Sequence, residues 1–147
     1  MARRSQVLTF TDRGIHCAAG DFYIDPWRPV DRALITHPHS DHARPGHGAY
    51  LGTEASVPIL RHRLGPIRVE GLAYGAPRRI GDAVVSFHPA GHVPGSAQIR
   101  VEVAGEVWVV SGDYKTEPDL ICTPFEPVPC DTFISECTFG LPIFRWR

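Results

Sequence analysis

Four candidate metal ligands stand within six residues of this chain, in the stretch Thr36-His37-Pro38-His39-Ser40-Asp41-His42. Neutral imidazole and carboxylate are the groups that zinc and its first-row neighbours accept, so this grouping reads as a metal site. Three of the chain's eight histidines fall in this one place. The stretch follows Ala33-Leu34-Ile35, an apolar run that reads as the end of a buried strand. Ligands at the mouth of a strand belong to a built site rather than to a surface scatter. His92, in Pro89-Ala90-Gly91-His92, and Asp113, in Ser111-Gly112-Asp113, stand at the exits of two further strands. Asp25 closes the strand Phe22-Tyr23-Ile24 in the same way. Each of these three alone is weak evidence, since an Asp in a turn usually caps backbone amides. Their order along the chain, together with the first cluster, carries the weight.

The elements that must position these groups are mostly short strands. Strands are expected at Val7 to Thr11, Ile15 to Ala18, Phe22 to Ile24, Arg32 to Thr36, Tyr50 to Gly52, Ile67 to Glu70 and Ala83 to His88. Ala97 to Val103 and Glu106 to Ser111, joined by Ala104-Gly105, read as a hairpin. Thr132 to Ser135 is the last expected strand, reached through the proline-rich link from Pro118 to Pro129. Helical spacing covers Thr53 to Leu64, with Val57, Leu60 and Leu64 on one face and Gly65-Pro66 stopping it. Ser40 reads as the N-cap of a short helix from Asp41, which would turn the last two ligands back toward the first two. With strands dominant and helices few, the sheets are expected to pack on each other with helices outside.

Bulk numbers narrow the class. A chain of 147 residues fits one domain with a real core. The net charge of −1 gives no global basic signal for a polyanionic partner. The basic residues are almost all arginine, Lys115 being the only lysine, a bias that a GC-rich genome produces by itself. Cys17, Cys122, Cys130 and Cys137 show no Cys-x-x-Cys spacing and no secretory segment accompanies them, which predicts reduced thiols and a cytoplasmic protein. No window has the apolar length of a membrane span, so no membrane partner is expected.

The order Asp25, His37/His39/Asp41/His42, His92, Asp113 resembles the metallo-β-lactamase superfamily. The resemblance implies an α/β fold, the αββα sandwich, here β-rich with few helices and present in its N-terminal half only, over residues 1–147. It also implies two divalent ions, zinc first and manganese as the alternative, roughly 3.5–4 Å apart and clamping a hydrolytic water. Carried over residue by residue, His37, His39 and His92 would hold the first ion, Asp41 and His42 the second, and Asp113 would bridge both. Asp25 matches the carboxylate that orients a ligand imidazole from behind.

A narrower resemblance points to the substrate. Ser135-Glu136-Cys137-Thr138-Phe139-Gly140 is similar to the acidic motif of the β-CASP branch, whose members cut nucleic-acid phosphodiesters, and it makes Glu136 a candidate catalytic residue. Together with Phe22 to Trp27, Gly91 to Gln98 and Gly140-Leu141-Pro142, it resembles the bacterial exonucleases associated with DNA ligase in damage repair. The implied activity is metal-dependent hydrolysis of DNA, with a DNA ligase as partner. The alternatives are an RNA 3′-end-processing endonuclease and a catalytically inert metal-binding fragment. The fragment reading rests on the β-CASP pattern: such proteins continue into a cap domain and a second half of the fold, whereas this chain stops at Arg147 with Phe144 and Trp146 uncovered. His16, His47, His62 and His88 match no motif position and are assigned to surface or packing, His88 being the one that could support His92. Lys115, Arg44 and Arg78-Arg79 are read as solvated cations, and Cys137 as a packed thiol.

Overall fold

A computed structural model describes residues 6–118 and 120–135 and the backbone strand Phe144–Trp146. The first half forms strands β1 (Thr9–Phe10), β2 (Ile15–Cys17), β3 (Phe22–Ile24), β4 (Arg32–Leu34), β5 (Ala49–Thr53) and β6 (Val69–Leu72). The second half forms β7 (Arg78–Ile80), β8 (Ala83–Pro89), β9 (Ala97–Val103), β10 (Glu106–Val110), β11 (Thr132–Ser135) and β12 (Phe144–Trp146). Each half makes one six-stranded sheet among the described residues, in the orders β1-β2-β3-β4-β5-β6 and β12-β11-β10-β9-β8-β7.

Alternation explains why the two sheets face each other. Along β8, Ala83, Val85 and Phe87 point one way, and along β9 so do Ala97, Ile99 and Val101. These six side chains are buried together with Trp108, Val110 and Ile134 of the same sheet. Against them lie Ile15, Cys17, Phe22, Ile24, Leu34 and Leu51 of the other sheet. Burying a side chain such as Phe87 or Ile99 stabilises the fold by about 1.5–3 kcal/mol. Helix α1 (Val57–Leu64) covers the outer face of the first sheet, where Leu60 meets Ala33, Ile35 and Tyr50. The expected sandwich is therefore present in its two inner layers and one outer helix.

Strand direction places the site. β3, β4, β5 and β6 run parallel, as do β10 and β11, so their carboxyl ends share a rim. Asp25 follows β3, Thr36 and His37 follow β4, and Asp113 follows β10. The two sheets are joined at this rim by the Ala97 N–H, which donates to the Thr36 carbonyl at 2.8 Å.

Several expectations need correction. No helix begins at Asp41: the segment is a single turn in which the His42 and Ala43 N–H groups donate to the His39 carbonyl. Pro45 follows too closely for a helix, since it has no N–H and its ring would clash with the preceding turn. The expected helix from Thr53 begins instead with a 3-10 turn, Glu54–Ser56, before α1. The strands expected at Val7 to Thr11 and Arg32 to Thr36 are shorter, and the one at Ile67 to Glu70 is shifted to Val69–Leu72. β7 and β12 were not expected at all. β12 pairs antiparallel with β11, Phe133 opposite Trp146, so the backbone of the last apolar segment joins the sheet.

Candidate metal centre

Asp25 is the keystone of the inner half. It is 6% exposed and sits at φ +45°, a left-handed conformation that Asp tolerates better than most residues. Its Oδ1 accepts from the Thr36 N–H at 2.8 Å, and its Oδ2 accepts from the Thr36 hydroxyl at 2.5 Å and from His42 Nδ1 at 2.8 Å. A carboxylate only accepts, so His42 carries its proton on Nδ1 and presents Nε2 as a lone pair. The Thr36 hydroxyl spends its proton on Asp25, so at 3.1 Å it accepts from His37 Nδ1, and His37 too presents a bare Nε2. Two ligand tautomers are thus set by one carboxylate and one hydroxyl.

The bare nitrogens converge. Asp113 Oδ2 lies 3.6 Å from His37 Nε2 and 3.7 Å from His92 Nε2, while its Oδ1 lies 3.6 Å from His42 Nε2. His42 Nε2 is also 3.4 Å from Asp41 Oδ2. The His39 ring meets His37 and His92 edge-on, with centroids 4.8 and 5.2 Å apart. Ligand atoms of His37, His39, His92 and Asp113 all lie within 4.8 Å of one another. Burial pushes His37 far below the usual imidazole range, to about 2, with His42, His39 and His92 adding to the effect. Burial also lowers His92, against the opposing pull of Asp113. Both rings are neutral at pH 7 and therefore able to ligate.

Backbone geometry holds His92 and Asp113 in place. The Ser96 hydroxyl accepts from the N–H groups of His92 and Val93 at 3.0 and 3.2 Å. Gly112 has φ +57°, and a Cβ there would stand 2.7 Å from the Cβ and Oγ1 of Thr36. Only glycine lets the Asp113 turn lie against the threonine that orients His37. Gly112→Ala combines a left-handed alanine, costing about 1–2 kcal/mol, with that collision. Urea unfolding is expected to show a loss of about 2 kcal/mol or more; an unchanged midpoint would contradict this packing.

The structure brings together Asp25, His37, His39, Asp41, His42, His92 and Asp113, every described site residue expected from the sequence. Glu136 and Cys137 lie outside the described residues. His88 does not support His92; it pairs instead with Ser86 and Glu126. His16 pairs with Asp21, and His47 accepts from the Val30 N–H, in keeping with packing roles. Thr36, Ser96 and Arg63 were not singled out. Ser96 had a signal, a hydroxyl four residues after the candidate ligand in a Gly-Ser turn.

The residues fit a metal. Of the four buried side-chain nitrogen or oxygen atoms without a hydrogen-bond partner among the described residues, two are His37 Nε2 and His92 Nε2. A buried nitrogen turned toward a carboxylate yet not bonded to it costs stability unless a ligand completes it.

Two facing sheets with imidazoles gathered around one carboxylate at the rim define a metal-site sandwich of the metallo-β-lactamase type. A Cronobacter sakazakii metallo-β-lactamase mutant superposes with a TM-score of 0.53 over 74% of this chain and 56% of its own, at 14% identity, a likeness of fold. No protein-family model matches the chain. By sequence, a protein of Opitutus terrae named probable DNA ligase is 32% identical over 88% of this chain and 13% of its own length. Ribonuclease TTHA0252 of Thermus thermophilus is 33% identical over 81% of this chain and 34% of its own. Endoribonuclease YSH1 of Mycosarcoma maydis is 28% identical over 88% and 20%. The fold and these relatives together are consistent with the metallo-β-lactamase superfamily and its β-CASP branch. It spans about a third or less of the length of these curated relatives. The fold implies divalent metal ions, and the His/Asp cluster to receive them is present. Among the described residues no helix is long and apolar enough to cross a membrane.

Proposed function

We propose that this chain carries most of the metal centre of a phosphodiester hydrolase acting on nucleic acid. The observation that carries the reading is the division of Asp113, with Oδ2 toward His37 and His92 and Oδ1 toward His42. Such a division suits two ions: His37, His39 and His92 would hold one, Asp41 and His42 would hold the other, and Asp113 would serve both. Zinc is the favoured ion, and manganese suits the same ligands. When bound, such a pair supplies a water acidified to a pKa of roughly 7 and neutralises charge on the phosphoryl group. Asp25 and Thr36 keep the ligand nitrogens deprotonated and aimed. Burial keeps His37 neutral at any pH at which the enzyme would work.

We favour DNA as the substrate, cut as an exonuclease in repair, because a relative aligned over 88% of this chain is named a DNA ligase. On the same ground a DNA ligase is the partner we propose. RNA is the second reading, supported by the Thermus ribonuclease and the YSH1 endoribonucleases. End-labelled single-stranded DNA and RNA of one sequence, digested side by side with zinc or manganese, separate the two. DNA shortened stepwise, with His39→Ala inactive, is the expected result. Faster internal cleavage of RNA would transfer the assignment, and turnover that survives His39→Ala or a chelator would end it.

A further inference from the structure

Asp25 positions the inner half of the centre through Thr36 and His42, but the bonds it accepts there do not go to the exposed pair, His39 and Asp41. Within that turn the backbone bonds are two, both to the His39 carbonyl. A third restraint comes from outside. Arg63, in the last turn of α1, donates from a single nitrogen, Nη1, to the carbonyl of Pro38 and, at 3.4 Å, to the carbonyl of Ala43. Pro38 lies between His37 and His39, and Ala43 follows His42, so one guanidinium ties together both ends of the ligand turn. Pro38 and Ala43 are buried. Without Arg63 two carbonyls at the ends of the turn lose the donor they share. Arg63 also lines a cleft of about 460 Å³ beside the site, together with His39, Asp41, Ile59 and Val93. Although Arg63 is exposed at the helix end, its guanidinium reaches back to the ligand turn.

We infer that Arg63 is a positioning residue for the metal centre, clamping the segment from His37 to His42 through its backbone. The inference rests on the metal-site reading above and adds a residue to it. A cation in the last turn of a helix has a ready alternative role, complementing the helix dipole. That role would touch stability and leave metal affinity alone.

The experiment titrates zinc into the metal-free full chain against a competing chelator and records the thermal midpoint of each metal-free variant. Residues that orient ligands from behind typically change metal affinity 10–100-fold. Arg63→Ala is expected to weaken zinc binding by about tenfold or more, with the metal-free midpoint within a few degrees of the parent. Arg63→Lys keeps the charge and the stem but not the planar guanidinium, and should recover part of the loss. If Arg63→Ala does not fold, Arg63→Lys alone decides: zinc affinity equal to the parent's would overturn the inference. Loss of midpoint with unchanged zinc affinity would also overturn it, leaving Arg63 a helix-end cation. If the parent itself takes up no zinc or manganese, the metal-site reading fails first, and that result is distinct from a variant effect.

Discussion

Asp113→Ala is expected to abolish metal uptake and hydrolysis together while leaving the fold standing. The carboxylate faces three imidazole nitrogens at 3.6–3.7 Å, each distance too long for a hydrogen bond and suited to an ion in between. Its side chain is 39% exposed and follows β10 on a turn held by backbone bonds, the Ser111 N–H to Ile134 and the Lys115 N–H to Ala90. Removing it should therefore change unfolding free energy by no more than about 1 kcal/mol. The chemical loss is far larger. Charge neutralisation by a bridged ion pair is worth several kcal/mol at the transition state, so turnover should fall by about a thousandfold or more. Zinc content and urea unfolding, measured on the same preparation, test both halves. An Asp113 that merely capped a turn would show the reverse, with a shifted unfolding midpoint and zinc content intact. Asp113→Asn sharpens the test, because it keeps shape and one acceptor but loses the charge.

The candidate ligands were legible because their residue types carry the chemistry proposed for them. His37, His39, Asp41, His42, His92 and Asp113 announce themselves at strand exits, and parallel strand ends bring such exits to one rim. The hairpin of β9 and β10 was legible for a similar local reason. Ala104 and Gly105 take φ +50° and +83°, the two positive angles that a tight two-residue connection demands. What stayed hidden acts at a distance or through backbone. Arg63 reaches Pro38 across 25 positions and binds a carbonyl, which no side-chain pattern records. Thr36 gains its role only because Asp25, just after the neighbouring strand β3, accepts the hydrogen bond of its hydroxyl. β7, with the sequence Arg-Arg-Ile, has no apolar alternation and owes its order to pairing with β8. The helix expected at Asp41 is stopped by Pro45, and the single turn that remains aims His42 at Asp25.

Asp25→Ala is expected to be the most destabilising single change at the site. It deletes the acceptor of three bonds in a place with almost no solvent, leaving the Thr36 N–H and His42 Nδ1–H buried without partners. Each orphaned donor costs about 1–3 kcal/mol, and breaking a buried pair by removing one member costs about 3–5 kcal/mol. Alanine also suits the φ of +45° less well than aspartate. A total of about 4 kcal/mol is a large fraction of the 5–15 kcal/mol that holds a typical domain together, so the urea midpoint should fall far below the parent's. Asp25→Asn isolates the functional share of this loss. It keeps size, tolerance of the left-handed backbone and one acceptor oxygen, but its amide must now face either Thr36 or His42 with a donor. If it faces His42, the proton moves from Nδ1 to Nε2 and the nitrogen offered to a metal is occupied. The expected outcome is a smaller stability loss, about 1–2 kcal/mol, with zinc affinity down 10–100-fold. Nitrogen-15 NMR of the imidazoles reads the tautomer directly in the metal-free protein. A His42 that keeps its proton on Nδ1 in Asp25→Asn, with zinc affinity unchanged, would show that Asp25 stabilises the fold without setting the ligand.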